Sequence, residues 1–253
     1  MIIDAHTHVK HGDGPRTEVP AGRIIEEMEK AGIDRSVIFA IYLPSKASHE
    51  MTLREYEKFP NRLIPFAHGL IHEGAEGARE VRRAVTELGF PGVKIHFGEF
   101  RAEKGRLPTY DDLAGLFETI AELDVPALVD LVGAIEVAGV IPKKLPALKF
   151  IIAHLGHPRE PEIIDQAIQL CRAHENVWLD CSFCFVPEKI PEAIHICGAN
   201  KIIFGSDGPS EWVCAADLIA RIHSYNLPPE DEAAILSGNI RKLIECRMHN
   251  TEC

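Results

Sequence analysis

The sequence predicts an α/β protein, a single (β/α)8 TIM barrel that takes up residues 1–253. Short runs rich in Ile, Val, Leu and Phe recur along the chain, and many are almost continuously apolar, as in parallel strands that are covered on both faces. Segments with helical spacing lie between these runs. About 250 residues is the usual length of such a barrel. No Gly-rich phosphate loop follows the first run, which disfavours an open doubly wound sheet.

Eight candidate strands alternate with segments that can form helices. The strands are predicted at residues 2–8, 36–42, 63–69, 92–97, 127–131, 150–154, 177–182 and 202–207. Apolar residues at helical spacing over 78–88 and 163–171 predict two of the crossover helices. No linker or shift in composition divides the chain, so one domain is expected.

The charge balance excludes several classes of partner. The chain has 27 basic and 38 acidic residues and a formal net charge of −11. Such a surface repels phosphate backbones and anionic lipids, so we expect no nucleic-acid or membrane partner. No apolar run approaches the roughly 18 residues of a membrane span. The start of the chain does not resemble a secretion signal, and the odd number of cysteines, seven, predicts free thiols in a cytoplasmic protein.

Polar side chains that can bind a metal are predicted at the carboxyl ends of the strands, where barrels carry their chemistry. In chain order these residues are His6, His8, Lys94, His96, Asp130, His154, Asp180, Ser182 and Asp207. Side chains alternate along a strand, so Asp4, His6 and His8 are expected on one face, where the two imidazoles can share a cation. A divalent metal such as Zn²⁺ accepts imidazole nitrogen and carboxylate oxygen.

Four motifs and their order along the chain resemble one protein family. They are IDAHTH at 3–8, GVKIH at 92–96, IAHLGH at 152–157 and IFGSDGP at 203–209, and a Gly-Asn pair at 238–239 fits as well. The chain resembles the amidohydrolase superfamily over nearly its whole length. It is most similar to the amidohydrolase 2 branch, which contains hydrolases and non-oxidative decarboxylases.

The resemblance implies roles for the strand-end residues. His6 and His8 correspond to metal ligands on the first strand, and Asp207 to a carboxylate that binds the metal and transfers a proton. His154 corresponds to a histidine that binds metal or lies beside the reacting water, so Asp207 and His154 are the expected catalytic pair. Asp130 stands where relatives usually have a histidine ligand. It either replaces that ligand with an oxygen or only orients a neighbour.

The expected cofactor is a divalent metal, with Zn²⁺ as the first expectation. An oxygen ligand at Asp130 would favour Mn²⁺ or Mg²⁺ instead. Lys94 has three interpretations: a carbamate that bridges two metals, an ion pair with Asp130 or Asp207, or a contact to a substrate carboxylate.

Further candidates for substrate binding are His96, His157 and Arg101. Two loops, 10–20 and 97–110, are expected over the barrel mouth. The cations of the second loop, which include Arg101, suggest a small-molecule substrate with a carboxylate.

The first functional interpretation is a metal-dependent hydrolase of a small amide, lactone or related carbonyl bond, in which the metal activates a water. One alternative is a metal-dependent non-oxidative decarboxylase or hydratase of a small carboxylate. Another is a barrel that binds a ligand or metal without turnover. Family members often self-associate, so a homo-oligomer is also expected, although the sequence shows no interface signature.

Overall fold

Residues 1–11, 18–210 and 214–245 are described by the computed structural model of the chain. The predicted loop at 10–20 lies mostly outside these residues. The strands, in chain order, are β1 Ile3–His8, β2 Lys10–His11, β3 Glu18–Val19, β4 Arg35–Phe39, β5 Leu63–Pro65, β6 Ala67–His68, β7 Val93–His96, β8 Pro126–Asp130, β9 Lys149–Ile152, β10 Val177–Asp180 and β11 Ile202–Ile203.

Helices follow the barrel strands. They are α1 Ala21–Ala31, α2 Ser45–Tyr56, α3 Ala75–Thr86, α4 Phe97–Lys104, α5 Tyr110–Glu122, α6 Ile135–Ala138, α7 Ile141–Lys144, α8 Pro161–Ala173, α9 Lys189–Cys197, α10 Ala215–Ser224, α11 Pro229–Ala233 and α12 Asn239–Glu245. Short 3₁₀ turns lie at Ile71–Glu73, Ala153–Gly156 and Ala199–Lys201, and a π-helical turn lies at Ala234–Gly238. Within the described part of the chain, no helix combines the length and the apolar character needed to cross a membrane.

Nine of these strands form a closed parallel barrel. Its strands pair in the orders β1-β4-β5 and β11-β10-β9-β8-β7-β6, whereas β2 and β3 form a separate antiparallel pair. β5 and β6 are consecutive pieces of one barrel strand, joined at Phe66, whose N–H donates to Ile38. β1 and the segment after β11 close the barrel, because Ala5 N donates to Phe204 O, Asp207 N to His6 O and His8 N to Gly208 O. The predicted barrel class is therefore confirmed.

All eight predicted strand positions carry strand structure, but seven of the strands end one to four residues earlier than predicted, and for two of them this changes the position of a site residue. β9 ends before His154, and β11 ends before Asp207. Both residues have left-handed backbone conformations, with φ of 57° at His154 and 65° at Asp207. A strand cannot continue through such a conformation. These two side chains therefore project from tight turns at the mouth rather than from strand ends.

A register shift in β1 changes the predicted face of one residue. The pairing of β1 with β4 is interrupted between Asp4 and Thr7. As a result Ala5 packs in the cluster that contains Val37 and Phe39, whereas Asp4 and Thr7 line a separate cavity of about 90 Å³ beside α1. The expectation that Asp4 shares a face with His6 and His8 was wrong, because a bulge reverses the alternation within the strand.

The segment predicted as a loop at 97–110 begins with a helix. α4 starts directly after β7 and ends at Gly105, which has φ of 69° and donates its N–H to Arg101 O. Glycine adopts this left-handed helix end without a steric penalty. The crossover helices predicted over 78–88 and 163–171 are confirmed as α3 and α8.

The barrel interior is filled by apolar side chains from alternate strand positions, which include Ile3, Val37, Ile64, Leu128 and Ile151. A larger cluster packs the outer faces of the strands against the helices. Polar groups lie at the carboxyl ends of the strands, beyond these two apolar clusters.

The close approach of Gly92 to the barrel interior generates a prediction. A Cβ at this position would lie 2.3–2.6 Å from three ring atoms of Phe66, which is fully buried. Gly92→Ala is therefore expected to lower the free energy of unfolding by about 1–3 kcal/mol through overpacking. Urea unfolding followed by circular dichroism measures this change.

Gly115→Ala is the matched control. No atom lies within 4 Å of a Cβ at Gly115, which is inside α5. This variant should be as stable as the parent or more stable by up to about 1 kcal/mol, because alanine favours helix. Equal stability of the two variants would contradict the packing argument.

Candidate metal centre

Closure of the barrel brings the first and last predicted site motifs together. His6 Nε2 lies 3.1 Å from Asp207 Oδ1, and His8 Nε2–H donates to the same oxygen at 2.8 Å. Asp207 lies about two hundred positions after the two histidines in the sequence. The structure thus places the His-x-His motif beside Asp207.

The orientation of His6 is fixed by Asp180, at the end of β10. His6 Nδ1–H donates to Asp180 Oδ2 at 2.6 Å, and both side chains are fully buried. Since a carboxylate can only accept, the neutral ring of His6 carries its proton on Nδ1 and has a lone pair on Nε2. This lone pair faces Asp207 Oδ1.

His154 has a similar arrangement. Its Nδ1 lies 3.2 Å from Ser182 O and 3.0 Å from Ser182 Oγ. The ring stacks on His6 with centroids 5.0 Å apart, and its Nε2 lies 3.6 Å from Asp130 Oδ2. In both histidines the Nδ1 side is held by the protein, as is usual for metal-binding imidazoles.

Three of these residues have a donor set that suits a divalent cation. One ligand atom each from His6, His154 and Asp207 can be chosen so that all three atoms lie within 4.8 Å of one another. His6 Nε2 and Asp207 Oδ1 face each other at 3.1 Å with lone pairs on both atoms. A cation satisfies such a pair. His8 lies outside this set of three but hydrogen bonds to Asp207.

Asp130 lies beside this set and pairs with imidazoles. Its Oδ2 accepts from His96 Nε2–H at 3.2 Å, and its Oδ1 accepts from Val132 N at 2.9 Å. Both interpretations of Asp130, ligand and orienting group, therefore keep structural support.

Lys94 contacts a histidine rather than a carboxylate. Its Nζ donates to His6 Nε2 at 2.9 Å and lies 5.0 Å from the centroid of the Phe39 ring. The lysine is 1% exposed. The expected direct ion pair with Asp130 or Asp207 is absent among the described contacts, although both carboxylates act on its charge through space.

Burial and close charges shift the pKa values in this cluster. Burial lowers the pKa of His8 to about 3, although Asp207 opposes the shift. Burial acts in the same direction on His154, but the hydrogen bond to Asp130 and the nearby carboxylates outweigh it and raise its pKa to about 9. Burial raises the pKa of Asp207, but nearby imidazoles outweigh it, through the charge of a protonated His6 or His154 and the hydrogen bond from His8, and hold this pKa well below its usual range. The carboxylate of Asp207 is therefore ionised and available to a cation.

These groups surround a cavity of about 250 Å³ at the barrel mouth. Its walls combine charged, imidazole and aromatic side chains. The lining residues are His8, Lys10, Ile41, Tyr42, Lys94, His96, Asp130, His154, Phe183, Asp207, Pro209 and Ser210. The volume lies just below the roughly 300–1,000 Å³ of sites for drug-sized ligands, which indicates a small ligand.

Two predicted substrate-binding residues do not line this cavity. His157 Nδ1 instead accepts from the N–H groups of Arg159 and Glu160, in the turn before α8. Arg101 is exposed on α4. His96 and Lys94, in contrast, are both brought to the cavity.

The sequence did not indicate several residues that shape the site. Asp180 was recognised as a strand-end carboxylate, but its contact with His6 depends on barrel geometry. Tyr42 and Phe183 line the cavity from segments that follow β4 and β10. Glu99 lies on α4, in a segment that was expected to be a loop, and accepts from His68 Nε2 at 2.8 Å.

A family model described as Amidohydrolase matches residues 3–245 of the chain. A curated relative, gamma-resorcylate decarboxylase from Polaromonas sp., is 24% identical over an alignment 257 residues long, gaps included, that covers 79% of this chain and 76% of the relative.

Solved structures share the fold. A 4-oxalomesaconate hydratase from Rhodopseudomonas palustris superimposes with a TM-score of 0.74 at 17% identity, over 100% of this chain and 98% of that chain. A dihydroxybenzoic acid decarboxylase from Polaromonas sp., with bound manganese and the inhibitor 2-nitroresorcinol, gives a TM-score of 0.73 at 20% identity, over 97% of both chains.

The contact between Asp180 and His6 generates a second prediction. Both oxygens of Asp180 accept hydrogen bonds, Oδ1 from Ser182 N and Oδ2 from His6 and Ser182 Oγ. In Asp180→Asn the amide group must oppose one of these donors. We expect the affinity for Mn²⁺ to fall about 10–100-fold, as measured by isothermal titration calorimetry.

Asp165→Asn provides the matched control. Asp165 pairs with Lys189 and its side chain is half exposed, so this variant should bind Mn²⁺ as the parent does. Unchanged affinity in Asp180→Asn would contradict the orienting role of Asp180.

Proposed function

The chain belongs to the amidohydrolase family, and from this premise we propose that it is a divalent-metal-dependent lyase that removes carbon dioxide from a small aromatic carboxylate. The observation that carries the proposal is the convergence of His6, His154 and Asp207 on one point beside a small cavity with aromatic walls. The relatives support decarboxylation or hydration better than hydrolysis, which was the first interpretation of the sequence.

His6, His154 and Asp207 would hold the cation, with His8 as a further imidazole next to Asp207. Manganese is the proposed metal, because a relative contains it and because carboxylate ligands suit Mn²⁺. Zn²⁺, the first expectation, has no comparable support. When bound, the cation would act as a Lewis acid on the oxygen atoms of the substrate.

The lining of the cavity suits a small aromatic anion. With a divalent cation in place, the cation and Lys10 outweigh the charges of Asp130 and Asp207, so an anion is attracted. Tyr42 and Phe183 provide apolar faces. A volume of about 250 Å³ suits a single substituted ring.

His96 is the proposed proton donor. Its side chain is 13% exposed to the cavity, and its Nε2–H points to Asp130 Oδ2. When the bond between the ring carbon and the carboxylate carbon breaks, carbon dioxide leaves and the electron pair stays on the ring carbon. That carbon then takes a proton from His96, and His96 regains one from solvent. Asp130, which accepts from His96 Nε2–H, keeps the imidazole in place.

This assignment differs from the sequence-based expectation that Asp207 and His154 transfer protons. Asp207 Oδ1 is already in contact with His6 and His8. His154 has the Nδ1 contacts of a held ligand. We therefore assign both residues to the cation and proton transfer to His96.

The function is tested by metal removal and replacement. Protein treated with a chelator is expected to lose the release of carbon dioxide from 2,6-dihydroxybenzoate and to regain it with Mn²⁺. Gas chromatography of the headspace and chromatography of the resorcinol product measure the reaction. Hydrolysis of lactones or amides without any decarboxylation would contradict the proposal and favour a hydrolase. Binding of metal or substrate with neither decarboxylation nor hydrolysis would favour a barrel that binds without turnover.

Substitutions distinguish the proton-transfer role of His96 from the metal-binding role of Asp207. His96→Gln should lower kcat by about 10²–10⁴-fold and leave the affinity for Mn²⁺ unchanged. Asp207→Asn should lose both Mn²⁺ binding and turnover. Steady-state kinetics and calorimetry on both variants, with Asp165→Asn as control, measure this difference. Loss of Mn²⁺ binding in His96→Gln would contradict the assignment of His96 to proton transfer.

A further inference from the structure

A bulky residue at the rim of the cavity has an unfavourable backbone conformation. Tyr42, which follows β4, has φ of 61° and is 64% exposed. Left-handed conformations cost free energy for residues other than glycine and persist where surrounding contacts impose them. An exposed side chain contributes little to the core, so packing does not account for a tyrosine at this position.

Glu99 imposes the conformation from α4. Tyr42 N–H donates to Glu99 Oε1 at 2.6 Å across 57 positions of sequence. Glu99 is 6% exposed, and its other oxygen accepts from His68 Nε2 at 2.8 Å. Burial alone would raise the pKa of Glu99, but the contacts with His68, His96 and Tyr42 N–H lower it. A buried, ionised and doubly hydrogen-bonded carboxylate therefore anchors the backbone at Tyr42.

Tyr42 borders two cavities. It lies edge-on to the His96 ring with centroids 5.5 Å apart and lines the cavity at the candidate metal centre. It also lines a neighbouring cavity of about 350 Å³, together with His72, Glu73 and Glu103. Tyr42 therefore contributes to the lining of both cavities.

We propose that Tyr42 is a specificity-determining residue, whose ring contacts the substrate and limits its size, and that Glu99 is the positioning residue that holds this ring in place. The role of Tyr42 in substrate binding rests on the proposed function. The positioning of Tyr42 by Glu99 is independent of which substrate is bound.

A double-mutant cycle tests the proposal. Tyr42→Gly removes the ring and relieves the backbone, and Glu99→Met removes both hydrogen-bond acceptors at similar volume. Each is expected to raise the KM for 2,6-dihydroxybenzoate about three- to tenfold, the factor that one aromatic contact supplies. The kcat should stay within about threefold, because neither residue transfers the proton. The double variant should show no further rise, because Glu99 acts through the ring.

Two more variants sharpen the cycle. Glu99→Gln keeps an oxygen for Tyr42 N–H, and its amide N–H can donate to His68 Nε2 once that ring carries its proton on Nδ1, which has no other partner among the described residues, so the KM should stay close to that of the parent. Asn226→Gly relieves another left-handed residue, with φ of 51°, on the exposed turn after α10, and should leave the KM unchanged. Tyr42→Gly should also raise the kcat/KM for the bulkier 5-carboxyvanillate relative to that for 2,6-dihydroxybenzoate, because the two cavities merge.

Amide hydrogen exchange tests the positioning role without substrate. The Tyr42 amide should exchange slowly in the parent and in Glu99→Gln, and at least about tenfold faster in folded Glu99→Met. If Glu99→Met does not fold, Glu99→Ala with the same NMR measurement takes its place. Unchanged exchange at Tyr42 would overturn the positioning role, and additive effects on KM would overturn the link to substrate.

The proposed function can fail separately. If the parent neither binds nor turns over 2,6-dihydroxybenzoate, the proposed substrate class is overturned, and the role of Tyr42 as a substrate wall is overturned with it. The exchange measurement still decides whether Glu99 positions Tyr42.

Discussion

Closure of the barrel between β1 and the segment after β11 is the constraint on which the site depends. Backbone hydrogen bonds from Ala5, Asp207 and His8 join the two ends of the sheet. They place the His-x-His motif next to a carboxylate that lies about two hundred residues away in sequence. The bulge in β1 then keeps His6 and His8 inside the barrel after Ala5. Without this closure, the donor atoms of His6 and Asp207 would not meet.

The hydrogen bond between His6 and Asp180 determines which nitrogen of the His6 ring can bind a cation. It places the proton of His6 on the side away from the cavity, and the contact of His154 with Ser182 has the same direction. The neutral His6 ring can therefore present the lone pair of Nε2 towards Asp207, and His154, whose pKa is raised to about 9, can do the same once a cation displaces its proton. The ammonium group of Lys94 hydrogen bonds to His6 Nε2. The space beside this nitrogen therefore attracts positive charge.

The sequence predicts much of this arrangement, because a strand-end position determines where a side chain meets its neighbours in a barrel. The eight strand positions and the convergence of His6, His8, His154 and Asp207 follow from apolar runs and motif spacing. Other features depend on local geometry that periodicity does not encode. The bulge moves Asp4 to another face, and the helix at 97–104 carries Glu99 to Tyr42. Arg101 and His157 have suitable chemistry, but neither lines the cavity.

The central claim is that His6 and Asp207 share one cation. A crystal grown with Mn²⁺ and measured on both sides of the manganese absorption edge tests it most directly, because anomalous scattering identifies the metal and its ligands together. The account predicts a single anomalous peak at coordination distance from both His6 Nε2 and the Asp207 carboxylate, with His154 as a neighbour. No peak at this position, or a peak in contact with only one of the two residues, would contradict it.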